Sequence, residues 1–127
     1  MKKVTLLGDS IRMIGYGKTL ADALNKEGVE VFQPEENCRF SKYTLRMLFD
    51  YKAQIAGSDV IHWNNGLWDV SDLFGDGQFT PTEEYCENML RIADVLLKIT
   101  PNVIFATTTP VRNNYPYQTA EDVARLN

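Results

Sequence analysis

The spacing of apolar positions switches back and forth between a strand-like and a helix-like period along this chain. Lys3 to Leu7, KVTLL, is a short β-rich run that stops at Gly8. Beyond a loop containing Gly15 and Gly17, Leu20, Ala21 and Leu24 share one helical face, and Gly28 supplies the left-handed residue on which helices end. Val29 to Phe32 predicts a second strand, closed by Pro34. Ser41 is placed to cap a helix whose apolar face runs through Leu45, Leu48, Phe49, the Lys52 stem and Ile55, ended by Gly57. Asp59 to Trp63, DVIHW, predicts a third strand. Thr80-Pro81-Thr82-Glu83 fits a capping box, with Thr80 as N-cap and proline at the first helical position. Tyr85, Met89, Ile92, Leu96 and Ile99 then recur at helical spacing, Pro101 ends the helix, and Val103 to Ala106 predicts a fourth strand. Thr119 is placed to cap a last helix, AEDVARLN.

This βαβαβαβ alternation predicts an α/β fold, a parallel sheet covered by helices on both faces. Right-handed crossovers bring the C-terminal ends of all strands to one sheet edge, where ligand sites of such folds lie. The loops after Leu7, Phe32, Trp63 and Ala106 are therefore the places to look for chemistry.

Composition narrows the class. The 127 residues are 44% hydrophobic and 24% charged, an ordinary balance for one soluble domain with a core of its own. Seventeen acidic against thirteen basic side chains give a net charge of −4, which lacks the footprint of a nucleic-acid binder. Arg39, Lys42 and Arg46 are the nearest thing to a basic cluster and read as a solvated face. No apolar run approaches a membrane span, and the N-terminus reads as a first strand rather than a signal peptide, so a cytoplasmic setting is expected. Cys38 and Cys86 are far apart and have no metal-ligand spacing, which predicts reduced thiols and no metal site. Asp69, Asp72 and Asp76 fail the calcium-loop pattern and read as loop and cap residues. One histidine, His62, is present.

Gly8-Asp9-Ser10 follows the first strand, and a serine held just beyond a strand end is a candidate nucleophile. Asn64 and Asn65 follow the third strand at the same edge and offer amide donors to a developing oxyanion. ENCRFS, Glu36 to Ser41, places backbone N–H groups near Cys38 and Arg39 at that edge, and TTTPVR, Thr107 to Arg112, offers a further wall. Each loop alone is equally compatible with an ordinary turn.

Together these segments resemble the SGNH, or GDSL-type, ester hydrolases. Gly8-Asp9-Ser10 matches the first sequence block of that family, Asn64 the third-block asparagine with Asn65 as the alternative register, and Thr107 to Pro110 the segment after its fourth strand. The resemblance implies a flavodoxin-like, three-layer α/β/α domain over residues 1–127, with strand order 2-1-3-4 and a fifth strand missing. It implies Ser10 as the nucleophile attacking an ester carbonyl, supported by Gly8 and Asp9. The oxyanion would be bound by the Ser10 N–H, a second-block N–H and Asn64. Cys38 stands where the second-block glycine is expected. No metal or organic cofactor is implied, and the substrate class is a small acyl or acetyl ester, such as an acylated carbohydrate.

The D-x-x-H block that carries the family's catalytic aspartate and histidine is absent from this sequence, so impaired activity is expected. Strand alternation puts His62 on the same side as Asn64, one pleat deeper, where a semi-buried structural histidine is expected rather than a relocated base. The missing fifth strand leaves an open sheet edge, and self-association through it is expected. The alternative to an esterase is a non-catalytic binding module using the same pocket, with Trp63, Trp68, Tyr115 and Tyr117 as stacking platforms for sugars. A nucleotide site fails on spacing. Gly15-Tyr16-Gly17-Lys18-Thr19 ends like a phosphate-binding loop, but Arg12 occupies the position of its first glycine.

Overall fold

The computed structural model describes residues 2–112 and 115–127. Four parallel strands, β1 (Lys3–Leu7), β2 (Glu30–Phe32), β3 (Val60–Trp63) and β4 (Val103–Phe105), form one sheet in the order β2-β1-β3-β4. All four predicted strands are present, with ends within a residue of those read from the sequence. The register pairs Leu6 with His62 and Leu7 with Trp63, so the two central strands end level with one another.

Helices cover both faces. α1 (Gly17–Lys26) lies on one, and α2 (Ser41–Asp50) and α5 (Thr82–Ile99) pack together on the other. The second face holds the main core, in which Leu7, Ile61 and Trp63 meet Met47, Leu48, Ile55, Ile92 and Leu96. Short helices α3 (Lys52–Ile55) and α4 (Leu67–Val70) and the closing α6 (Ala120–Leu126) complete the element order. Among the described residues no helix is long and apolar enough to cross a membrane.

Local differences from the sequence reading each have a physical cause. The stretch expected as a loop after Ser10 is a π-helical turn, Ile11–Tyr16, running directly into α1, with the Gly17 N–H donating to Arg12 O. Ser41 is the first residue of α2 rather than its cap. Its N–H and hydroxyl both donate to the Asp69 carboxylate of α4, so the helix is capped from a distant segment. α2 accordingly buries Ser41, Thr44, Met47 and Leu48, while Phe49 faces solvent under Arg46 and Lys52. The capping box at α5 does not form: the helix starts at Thr82, and Thr80 N donates to Asp69 O at 2.9 Å. Buried Asp69 takes the Ser41 hydroxyl that local rules assign to a cap. The Thr119 cap of α6 does form, its hydroxyl accepting from Asp122 N at 3.1 Å, and Gly28 adopts the left-handed φ of 79° expected after α1.

Candidate active site

The first loop is built around Gly8, Asp9 and Ser10. Asp9 Oδ1 accepts from Ile11 N at 2.9 Å, and Asp9 O accepts the N–H groups of Arg12 and Met13, so the π-helical turn starts on this residue. Asp9 is buried, its Oδ2 has no hydrogen-bond partner among the described residues, and burial pushes its carboxyl above the usual range. Ser10 is partly exposed at the end of β1, and its N–H has no acceptor among the described residues.

Arg12, which sequence reasoning passed over, holds this loop against the next one. It is 1% exposed, and each of its guanidinium nitrogens donates to oxygen. Nε and Nη2 reach Gly8 O at 3.2 Å each, Nη1 reaches Gln33 Oε1 at 3.1 Å and Pro34 O at 2.9 Å, and Nη2 also reaches Glu36 O at 2.7 Å. The signal was a lone charge inside the otherwise apolar run Ile11-Arg12-Met13-Ile14. A cation there is either snorkelling or fully paired, and here it is paired.

The second loop runs back to the first. Cys38 N donates to Gly8 O at 3.0 Å, and Cys38 Sγ accepts from Gly8 N at 3.2 Å. The N–H of Cys38 is thus spent inside the protein and is not free for an oxyanion. Burial pushes the Cys38 thiol up, away from thiolate chemistry. The left-handed backbone conformation that suits glycine falls one residue later, on Arg39 at φ 53°, whose N–H is held by Asn37 Oδ1 at 2.7 Å. Arg39 also lies over the Tyr43 ring, at 4.8 Å from its centroid.

The third loop separates the two asparagines by role. Asn65 is wholly buried, accepts from Trp63 Nε1 at 2.7 Å, and donates to Thr44 Oγ1 at 2.9 Å and Arg39 O at 3.2 Å. Its carbonyl receives the hydroxyls of Tyr85 and Thr108. Asn64 N donates to Leu7 O at 3.0 Å, which seats this residue beside the Gly8 turn. Its side-chain amide gives one N–H to Ala106 O at 3.0 Å and retains a second. Gly66 completes the loop at φ 150°; a Cβ there would lie 2.0 Å from Thr108 Oγ1.

Ser10 and Ile11 line a cleft of about 560 Å³ together with Leu67 and Trp68 of α4 and with Thr109 to Arg112, Tyr115 and Gln118 of the fourth loop. Gln118 fastens that loop to α4 through Leu67 O and Ser71 Oγ. Trp68 stands edge-on to Phe40, which stacks on Phe79 at 4.5 Å. Of the four aromatics expected as stacking platforms, Trp68 and Tyr115 line this cleft. Trp63 is in the core, and Tyr117 lines a separate cleft beside α6.

His62 lies elsewhere. It lines a mainly apolar cleft of about 800 Å³ with Gly15, Tyr16, Thr19, Leu20, Ala23 and Ala106, packed edge-on against Tyr16 at 5.5 Å. Its Nδ1 is buried without a partner among the described residues, and burial lowers its pKa. Gly15 to Thr19 is helical rather than a phosphate-cradling loop. Among the described residues no group of three or more His, Cys, Asp or Glu side chains is placed to hold a metal ion.

No protein-family profile matches the chain, and no curated protein matches it by sequence. Its fold is similar to two solved esterases. The acetyl xylan esterase AlAXEase superposes with a TM-score of 0.74 at 20% identity, over 98% of this chain and 68% of that one. The psychrotrophic esterase EstA from Pseudoalteromonas sp., in a structure inhibited by monoethylphosphonate, superposes with a TM-score of 0.66 at 16% identity, over 99% and 72%. At such identities the likeness is one of fold: a parallel 2-1-3-4 sheet between helices, shared with esterases.

Proposed function

We propose that this chain carries the nucleophile and oxyanion-binding part of a serine ester hydrolase acting on small acyl esters, acetyl esters above all. The observation that carries the reading is Ser10: a partly exposed hydroxyl at the mouth of β1, lining a cleft, with an uncommitted backbone N–H. The similarity of the fold to two esterases supports it. In this reading Ser10 Oγ attacks the ester carbonyl carbon. The oxyanion takes up the Ser10 N–H and the spare amide N–H of Asn64. Collapse expels the alcohol, which leaves with the proton from Ser10, and water then cleaves the acyl-serine to a carboxylic acid. The reaction as written uses neither metal nor organic cofactor.

Asn65 serves the scaffold in this reading, because its amide and carbonyl are already engaged. Trp68 and Tyr115 line the cleft, and an aromatic lining for the alcohol part suits an acylated sugar. No histidine of this chain shares the cleft with Ser10, so the serine goes without the usual base, and turnover by these 127 residues is expected to be slow. Loss of the histidine base from a serine triad costs on the order of 10⁶ in kcat. Hydrolysis of p-nitrophenyl acetate by the chain and by Ser10→Ala, with phosphonate labelling read by mass spectrometry, tests the reading. Label on Ser10 and a rate that falls in the variant are expected. Equal rates and an unlabelled Ser10 refute it, and tight sugar binding with no turnover would favour a binding module instead.

A further inference from the structure

Among the ten residues that line the Ser10 cleft, Arg112 is the single charged side chain. That runs against the composition, in which acids outnumber bases seventeen to thirteen. Other clefts follow the composition: one beside β2 carries Glu35, and one beside α6 carries Asp72 and Asp122. The ion pairs formed among the described residues are Lys18–Asp22, Arg46–Asp50 and Arg125–Asp122, all within single helices, and Arg112 belongs to none of them. Its guanidinium also makes no hydrogen bond to another described side chain. Arg112 therefore differs from Arg12, whose donors are all spent within the fold. An exposed guanidinium of this kind offers two parallel N–H groups to a carboxylate or phosphate.

We propose that Arg112 makes the Ser10 cleft selective for esters that carry an anionic group, a carboxylate or a phosphate, elsewhere in the molecule. The inference rests on the esterase reading for its chemistry, but the anion site itself is a matter of binding and can be tested apart from turnover. The protein as a whole carries −4, so its general field disfavours anions and the preference must come from this local cation. Besides Arg112, Ser10 and the neutral Thr109 and Gln118, the lining, with Ile11, Leu67, Val111, Trp68 and Tyr115, is apolar or aromatic and suits the body of such an ester. The polar partner of the anion is Arg112; the reacting carbonyl belongs to Ser10.

The test compares 4-acetoxybenzoate with its neutral methyl ester, and 4-acetoxyphenyl phosphate with 4-acetoxyphenyl methyl ether, at low salt. Release of the phenol is followed for the chain, Ser10→Ala and Arg112→Gln. A preference of about tenfold for the anionic ester is expected, the ratio of one charge-assisted hydrogen bond. It should collapse in Arg112→Gln and shrink as KCl is raised. The carboxylate and phosphate arms identify which anion the site takes. Calorimetry with the product 4-hydroxybenzoate against methyl 4-hydroxybenzoate supplies a readout that needs no turnover. Ser10-dependent hydrolysis without charge preference, or a preference that survives in Arg112→Gln, overturns the role of Arg112 and leaves the esterase reading standing. Arg112-dependent binding of 4-hydroxybenzoate without Ser10-dependent hydrolysis does the reverse. Equal affinity for the acid and its methyl ester, with no turnover, overturns both.

Discussion

Replacing Arg12 by methionine keeps most of the buried volume and removes all the guanidinium donors that tie the Ser10 turn to the loop after β2. Four oxygens lose a partner, but not equally. Gly8 O still accepts from Cys38 N at 3.0 Å, and Glu36, an exposed residue, can turn its carbonyl toward water. Gln33, partly exposed, can do the same with its amide. Pro34 is buried, so its carbonyl is the group left stranded. An unsatisfied buried acceptor costs about 1–3 kcal/mol, and each lost hydrogen bond to a charged donor contributes about 1.5–3 kcal/mol. Against this stands relief from burying a cation, which can offset much of the loss where a whole ion pair is replaced by apolar groups. Here only the cation leaves and its acceptors stay, so the destabilising side wins. The expected loss is about 2–4 kcal/mol, a fall in Tm on the order of 10 °C for a domain of this size. Arg12→Lys keeps the charge but has one nitrogen in place of three, and should recover less than half. Urea unfolding measures the loss, and hydrogen exchange at the Cys38 amide reports whether the two loops part. A loss below 1 kcal/mol in Arg12→Met, or equal stability of Arg12→Lys and wild type, would refute the reasoning.

Three further outcomes follow from buried groups. Burial lowers the His62 pKa below its usual 6.5, so its contribution to stability is complete above pH 6.5 and is lost as pH falls through that value toward the folded one. As the single histidine, it should give a slope of at most about 1.4 kcal/mol per pH unit in urea melts between pH 7.5 and 5.5, abolished in His62→Gln; an unchanged slope would assign the titration elsewhere. Burial raises the Asp69 carboxyl, so ionised Asp69 is held at a cost that eases as pH falls toward its unfolded value near 3.8. Asp69→Ala strips the α2 cap and should cost about 2–4 kcal/mol, with Asp69→Asn milder because it keeps an acceptor without the charge; thermal melts that rank the two variants the other way would contradict this. Gly66→Ala must bring a methyl group to 2.0 Å from Thr108 Oγ1 at φ 150°, and should cost about 3–5 kcal/mol from overpacking and backbone strain. Circular dichroism melts within 1 kcal/mol of wild type would show that the loop yields.

The sequence announced strands more reliably than caps, and the reason is physical. A β-rich run of four or five residues that ends at a turn sequence has few alternatives, so KVTLL, before Gly8, and VIHW, before Asn64-Asn65-Gly66, lie where periodicity put them. A capping hydroxyl needs one local acceptor or donor, and a buried carboxylate from elsewhere outcompetes it. Asp69 takes Ser41 in this way, and no local pattern signals that a residue 28 positions along the chain will do so. Phe49 was misplaced for the same reason: Thr44, whose hydroxyl meets Asn65 Nδ2 and Cys38 O, turns α2 by its polar contacts rather than by its apolar ones. That the loops carrying Ser10 and the Asn64–Asn65 pair leave neighbouring strands was legible in the strand order. The pairing of Arg12 was not, since a single arginine has the same appearance whether or not its donors are spent.

That contrast between spent and free donors is also what singles out the site. The four loops at the sheet edge are bound to one another by buried polar groups. Arg12 joins the first to the second, Asn65 joins the third to the second and to α2, and Thr108 joins the fourth to the third through Asn65 O. Thr108 is in turn held at both its N–H and its carbonyl by Asn127 of the chain's last turn. In a cluster so fully paired, a donor without an acceptor stands out, because buried and half-buried N–H groups are nearly always satisfied. Among the described residues, the Ser10 N–H and the second amide hydrogen of Asn64 are donors at this edge with no acceptor in the fold. They belong to loops that leave adjacent strands, joined by the bond from Asn64 N to Leu7 O. In the proposed esterase reading these donors would serve the oxyanion, since donors already fixed in place need no reorganisation as charge develops. Loosening the surround should therefore reduce any Ser10-dependent rate more than it reduces ester binding. Arg12→Met, by leaving the first loop held to the second by the Gly8–Cys38 bonds alone, puts that split between kcat and KM within reach of a single variant.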